Sequence, residues 1–258
     1  MNALQEKKGF ICDMDGVIYH GNSLLPGAQE FVQWLKAENK EFLFLTNNSQ
    51  KSREELAQKL KRLGIDVDPI HFYTTALATA SFLAHQQPGG SAYVIGDAGL
   101  TNALYQAGFS MNDVDPDYVV VGETQSYSFE KIRQAIKLVL SGAKLVGTNP
   151  DFTCPGDRGP DPGCGAMVAP IELATGRKAY FMGKPNPLMI RHAMRCLNCD
   201  REEILFIGDQ MDTDIIAGIH SEVDTVLVLS GATSEEDLIK YAYRPRFIIK
   251  GIGDILQG

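Results

Sequence analysis

Short runs of consecutive apolar residues recur along the chain, and four of them give way abruptly to polar side chains. Phe10-Ile11-Cys12 is followed by Asp13-Met14-Asp15-Gly16, and Phe42-Leu43-Phe44-Leu45 by Thr46-Asn47-Asn48. Ala179 to Met182 leads into Gly183-Lys184-Pro185, and Ile204-Leu205-Phe206-Ile207 into Gly208-Asp209. Runs without alternation read as strands buried on both faces of a parallel sheet. Helical spacing fills the intervals. After Pro26-Gly27, residues Ala28, Phe31, Val32 and Leu35 form an i, i+3, i+4, i+7 stripe. Ser52 with Glu55 three residues on reads as a capping box, opening a helix through Leu56, Leu60 and Leu63 that stops at Gly64. Asn186 with Pro187 opens another, carrying Ile190, Ala193, Met194 and Leu197 on one face. Thr225–Leu229 and Phe247–Ile249 supply further strands. The alternation predicts an α/β fold with a Rossmann-like parallel sheet covered by helices.

A second α/β passage interrupts this pattern. A helix is expected over Leu77–His85, broken at Pro88-Gly89-Gly90. Strands follow at Ala92–Ile95, Tyr118–Val121 and Lys144–Val146, with helices near Leu100–Ala107 and Phe129–Leu140. Asp151–Gly165, rich in Pro, Gly and Asp, reads as a long loop, and a helix is expected over Ala166–Ala174. The division predicted is a discontinuous core of residues 1–76 and 182–258, split by an inserted domain of residues 77–181.

Composition narrows the partners. Among 258 residues the net charge is −8, which argues against nucleic acid or an anionic membrane as main partner but leaves small phosphorylated ligands open. No apolar run approaches the ~20 residues of a membrane helix. The N-terminus lacks the apolar core of a signal peptide. Five cysteines, odd in number and irregularly spaced, do not suggest a disulfide framework, so a reducing, cytoplasmic setting is expected. Cys196 and Cys199 form a single CxxC in a helical pattern and read as packing or surface residues. A homo-oligomer stays open.

The polar stations carry the chemistry. Asp13 and Asp15, two apart, project the same way if the strand is extended, and Gly16 lets the chain turn at once. Carboxylates at the end of a central strand lie where open α/β sheets bind ligands. Close like charges need a cation or a shared proton; the plainer alternative is an Asx-type turn with both acids solvated. With Asp209, the two could converge on Mg²⁺, which takes one or two protein carboxylates and fills its shell from water and substrate. The Thr46 hydroxyl, the Asn47 amide and Lys184 could hold phosphate oxygens, although Lys184 alone also reads as an ordinary solvated lysine. A carboxylate can also attack phosphorus. His20 reads as a loop residue, and Trp34 as packing beside the first helical stripe.

In this order, DMDGV, LTNN, GKP and GDQMDTD resemble the four motifs of the haloacid dehalogenase superfamily of phosphatases, and the insertion between the second and third resembles a C2-type cap. GETQSY, TNPD and GKPNP resemble the NagD-type branch. The resemblance implies Asp13 as nucleophile and Asp15 as general acid, then base. It implies Mg²⁺ held by the Asp13 and Asp209 carboxylates and the Asp15 main-chain oxygen. Thr46, Asn47 and Lys184 would bind the phosphoryl group, Asp214 would support the metal site, and Asp212 would shape the turn. The implied activity is hydrolysis of nucleoside 5′-monophosphates such as UMP, with sugar phosphates, phosphoglycolate or pyridoxal phosphate as alternatives. A phosphate-ligand sensor or phospho-acceptor without turnover is the non-enzymatic alternative.

Overall fold

The computed structural model describes residues 3–156 and 159–257. The chain forms two compact units, one of residues 1–46, 53–73 and 184–258, the other of residues 47–52 and 74–183. The short segment Asn47–Ser52 packs with the second unit, a grouping that nothing in the apolar pattern marks.

The first unit is built on a sheet of six strands. Their order across the sheet is Phe247–Ile249, Asp224–Val228, Ile204–Gly208, Gly9–Cys12, Glu41–Thr46 and Phe72–Thr74. From the first of these to Glu41–Thr46, neighbours run parallel. Gly9–Cys12 and Ile204–Gly208 are buried throughout, which explains their unbroken apolar runs. Helix Ala28–Ala37 buries the predicted Ala28, Phe31, Val32 and Leu35. Trp34 stands edge-on to Phe10 at 5.4 Å between ring centroids, completing that contact. Helix Arg53–Arg62 buries Leu56, Ala57 and Leu60. In Pro187–Leu197, Asn186 caps the start by accepting the Leu188 N–H at 3.0 Å. That helix buries Met189, Ile190, Ala193 and Leu197, so Met189 takes the place expected of half-buried Met194.

The second unit has its own parallel sheet, ordered Tyr180–Phe181, Lys144–Gly147, Tyr118–Val121, Ser91–Ile95 and Ser110–Met111. Alternation along Tyr118–Val121 divides its core. Tyr118 and Val120 pack with Leu83, Leu100 and Leu104 from helices Thr75–Gln86 and Ala98–Gln106. Val119 and Val121 pack with Leu138, Val168 and Ile171 from helices Phe129–Leu140 and Cys164–Thr175.

One expectation is corrected. Asp151–Gly165 is no open loop: Thr153–Gly156 and Gly159–Pro162 pair antiparallel, and the next helix already begins at Cys164. Prolines 155, 160 and 162 hide such strands, because Pro is excluded from most ladders and tolerated where a strand has a free edge. The first helix of this unit also starts early, at Thr75, with the Thr74 hydroxyl accepting the Leu77 N–H. Among the described residues, no helix is long and apolar enough to cross a membrane.

Candidate active site

The first strand lies mid-sheet, with the chain passing to Glu41–Thr46 on one side and returning much later to Ile204–Gly208 on the other. Such a reversal of winding opens a crevice at the carboxyl ends of the strands. Register aligns Cys12 with Phe44 and with Ile207. Asp13, Thr46 and Asp209 therefore emerge at the same end of three adjacent strands, and the Asp13 N–H extends the ladder to Ile207 O at 2.8 Å.

Lys184 closes the cluster. Its Nζ lies 2.6 Å from Asp13 Oδ1 and 2.7 Å from Asp214 Oδ1, and it is only 3% exposed. Burial works to discharge this ammonium, but the two carboxylates outweigh it and hold the pKa above the ordinary lysine value. Burial, with Asp214 and Asp209 nearby, pushes Asp13 upward against the pull of Lys184. Burial first and Asp214 second raise Asp209 to about 7. Asp13, Asp209 and Asp214 present carboxylate oxygens within 4.8 Å of one another. When all three acids are ionised, three carboxylates against one ammonium leave two negative charges, which one divalent cation would balance.

The three acids differ in what they have left to offer. Asp214 spends Oδ1 on Lys184, and its Oδ2 accepts the N–H groups of Asp209 and Gln210 at 3.2 and 3.1 Å. It holds the turn together. Asp209 Oδ2 accepts the Ala232 N–H at 2.7 Å, while its Oδ1 is buried without a hydrogen-bond partner. An orphaned buried carboxylate oxygen is costly, and a bound cation is the natural partner for it. The group can hold a metal, and Asp209 is its readiest donor.

Asp15 stands apart from this cluster. Its side chain is 38% exposed, with Oδ1 3.4 Å from Nδ1 of the exposed His20. Partial burial raises its pKa, with His20 opposing. Asn47 belongs to the second unit, where its side-chain amide donates to Asp151 Oδ2 at 2.8 Å.

The sequence pattern alone does not bring out the segment Ser230–Thr233. Ser230 Oγ donates to Gly16 O at 2.7 Å, Thr233 N–H to Asp209 O at 3.1 Å, and Met211 N–H to Thr233 Oγ1 at 3.2 Å. The signal was present, since Ser230-Gly231-Ala232-Thr233 is one more polar cluster directly after an apolar strand.

A family model described as "Haloacid dehalogenase-like hydrolase" matches residues 10–110, and one described as "HAD-hyrolase-like" matches residues 181–255. The dihydroxyacetone phosphatase of Corynebacterium glutamicum is 44% identical over 95% of this chain and 90% of its own. The ribonucleotide monophosphatase NagD of Escherichia coli K12 is 41% identical over 96% and 98%. Its solved structure superposes with a TM-score of 0.91 at 40% identity, covering the same shares. The acid sugar phosphatase of Staphylococcus saprophyticus is 37% identical over 98% of each chain. The chain belongs to the haloacid dehalogenase-like hydrolases. It is a phosphatase of the NagD type, acting on small phosphorylated substrates.

In this phosphatase, backbone without side chains hems in the Asp209 carboxylate. A Cβ on Gly16 would lie 2.4 Å from Asp209 Oδ2, and one on Gly231 2.1 Å. Gly16 also has φ +76°, so strain and space are confounded there. At Gly231 only space is at issue. Gly231→Ala should therefore displace the Asp209 carboxylate while leaving the fold in place. We expect the metal concentration for half-maximal activity to rise at least tenfold, read from a Mg²⁺ titration of p-nitrophenyl phosphate hydrolysis, with a near-native circular dichroism spectrum.

Proposed function

We propose that this enzyme hydrolyses phosphomonoesters through an aspartyl-phosphate on Asp13, with Mg²⁺ as cofactor and nucleoside 5′-monophosphates such as UMP as preferred substrates. The observation that carries the reading is the buried cluster at the strand ends, where the three carboxyl groups of Asp13, Asp209 and Asp214 face the one ammonium of Lys184. Mg²⁺ would be held by the carboxylates of Asp13 and Asp209 and the main-chain oxygen of Asp15, and when bound it would stabilise charge on the transferring phosphoryl group. Lys184 holds Asp13 through Oδ1, which keeps the nucleophile from rotating away. An Asp13 oxygen attacks phosphorus, the ester P–O bond breaks, and Asp15 delivers its proton to the leaving oxygen. Asp15, now a carboxylate, takes a proton from water as the water oxygen attacks phosphorus, releasing inorganic phosphate and restoring Asp13. Thr46, Asn47 and Lys184 bind the phosphoryl oxygens.

These groups recognise phosphate and say little of what it leaves behind. We assign that discrimination to the inserted unit, where Phe152, 69% exposed next to the antiparallel pair Thr153–Gly156 and Gly159–Pro162, is suited to stacking on a base. The NagD relative is named for ribonucleotides; the Corynebacterium relative, named for dihydroxyacetone phosphate, favours a triose phosphate as the second reading. Values of kcat/KM for UMP, dihydroxyacetone phosphate and a hexose phosphate decide between them. Substitutions in residues 151–165 should reorder those values and leave Mg²⁺ dependence alone. A proportional fall for all three would remove the hairpin from specificity.

Phosphate release from p-nitrophenyl phosphate tests the chemistry first. Chelation should abolish it, Mg²⁺ should restore it, and Ca²⁺ should restore it poorly, because calcium accepts a larger and looser shell. Undiminished release in the presence of chelator would refute the metal reading.

A further inference from the structure

Inside the second unit, a buried polar network converges on Asn47, the residue directly after Thr46. The Asn47 carbonyl accepts two hydrogen bonds, from Thr75 Oγ1 at 2.7 Å and Asn149 Nδ2 at 2.8 Å. The same Asn149 amide donates its other N–H to Glu123 Oε1, and the second Glu123 oxygen accepts the Ser49 hydroxyl. Thr148 Oγ1 adds a bond to Ser49 Oγ at 3.3 Å. Further along, Gln50 is held through its carbonyl by Gly99 N–H and through its side chain by Asp97 Oδ2, both at 3.0 Å. Ser49, Thr148 and Asn149 are fully buried and Glu123 is 5% exposed.

A buried carboxylate carries a desolvation cost that a neutral or apolar residue would avoid, so its presence calls for a reason beyond packing. Here the carboxylate sets the rotation of the Asn149 amide, and that amide in turn fixes the Asn47 carbonyl. Thr46 is fixed from the other side by the strand it ends. The peptide N–H between them is left with little freedom. There is no spare room for adjustment: a Cβ on Gly122 would lie 2.6 Å from Ser49 Oγ, and one on Gly183 2.7 Å from Asn47 Oδ1.

We propose that Glu123 is a positioning residue for phosphate recognition, acting through Ser49 and Asn149 to hold the Asn47 main chain in its binding geometry. The proposal rests on Thr46 and Asn47 holding the phosphoryl group. It predicts a defect common to every substrate, because all share that group, and it is distinct from selection among leaving groups. Gln at this position keeps an acceptor for Asn149 and offers an N–H to Ser49, whose hydroxyl can turn to accept it. Ala keeps neither.

The test measures competitive inhibition by inorganic phosphate together with KM and kcat for p-nitrophenyl phosphate and UMP. In Glu123→Ala, the inhibition constant and both KM values should rise about tenfold by one common factor, with kcat within threefold. Glu123→Gln should stay within twofold of wild type throughout. Ser49→Ala, which removes the hydroxyl bonded to Glu123 and Thr148 but no charge, should give an intermediate rise and serves if Glu123→Ala does not fold. A purely structural role would lower kcat with the active fraction and leave the inhibition constant unchanged; that pattern in Glu123→Ala or Ser49→Ala, or a Gln variant as impaired as Ala, overturns the proposal. Thr46→Ala separates it from the underlying reading. If Thr46→Ala weakens phosphate inhibition and Glu123→Ala does not, positioning by Glu123 is wrong; if Thr46→Ala leaves it unchanged, the phosphate-site reading falls and takes this proposal with it.

Discussion

Asp13→Asn should reduce turnover of p-nitrophenyl phosphate by at least about a thousandfold, about 4 kcal/mol of transition-state stabilisation. An amide cannot replace the attacking carboxylate oxygen, and no other acid of the cluster is free to do so. Asp214 is committed to Lys184 and two backbone amides, and Asp209 is tied to Ala232 through Oδ2 while its Oδ1 is the oxygen a bound cation would take. The exchange is nearly isosteric at a strand end whose N–H keeps its bond to Ile207, so the fold should persist. Steady-state turnover within tenfold of wild type, in protein shown by mass spectrometry to be free of deamidation, would end the covalent mechanism.

Lys184→Met should be the most destabilising change among the site residues. It fills the same space with an apolar chain and removes the one cation that, among the described residues, contacts both Asp13 and Asp214. Breaking a buried ion pair from one side costs about 3–5 kcal/mol, because the remaining charges lose their partner. For a chain of this size that corresponds to a melting temperature lower by about 10 °C, measured in metal-free buffer. Activity should fall as well, since Asp13 loses the bond that orients it. Mg²⁺ should raise the melting temperature of the variant more than that of the wild type, because it would return part of the missing positive charge. A variant that melts within 2 °C of wild type, as an order of magnitude for negligible change, would show that Lys184 does not neutralise the cluster.

Much of this was legible because the strand ends are marked twice, by an apolar run and by the polar residues that stop it. Asp13, Thr46, Lys184 and Asp209 could be picked out on that ground, and the chain order gave the sheet class. Residues whose meaning is spatial left no such mark. Gly231 matters because Asp209 Oδ2 lies where its side chain would be, a fact that spacing along the chain cannot carry. The Thr153–Pro162 hairpin escaped because its prolines and glycines give turn signals inside a ladder. Asp151 and Glu123 sit in recognisable motifs, but their partners Asn47 and Ser49 lie 104 and 74 positions away.

The pairing of Gly9 with Ile204 also bears on how the enzyme comes into being during synthesis. The strand that carries Asp13 is made well before one of its sheet neighbours, the strand Ile204–Gly208, and with it Asp209. Contacts so distant in sequence form late and carry a large loop-closure cost. The Ser230–Thr233 segment that steadies Asp209 arrives later still. A growing chain therefore carries Asp13 long before Lys184 and Asp209 exist to neutralise or aim it, and hydrolysis waits until the strand Ile204–Gly208 and the segment that steadies its end have been laid against the sheet.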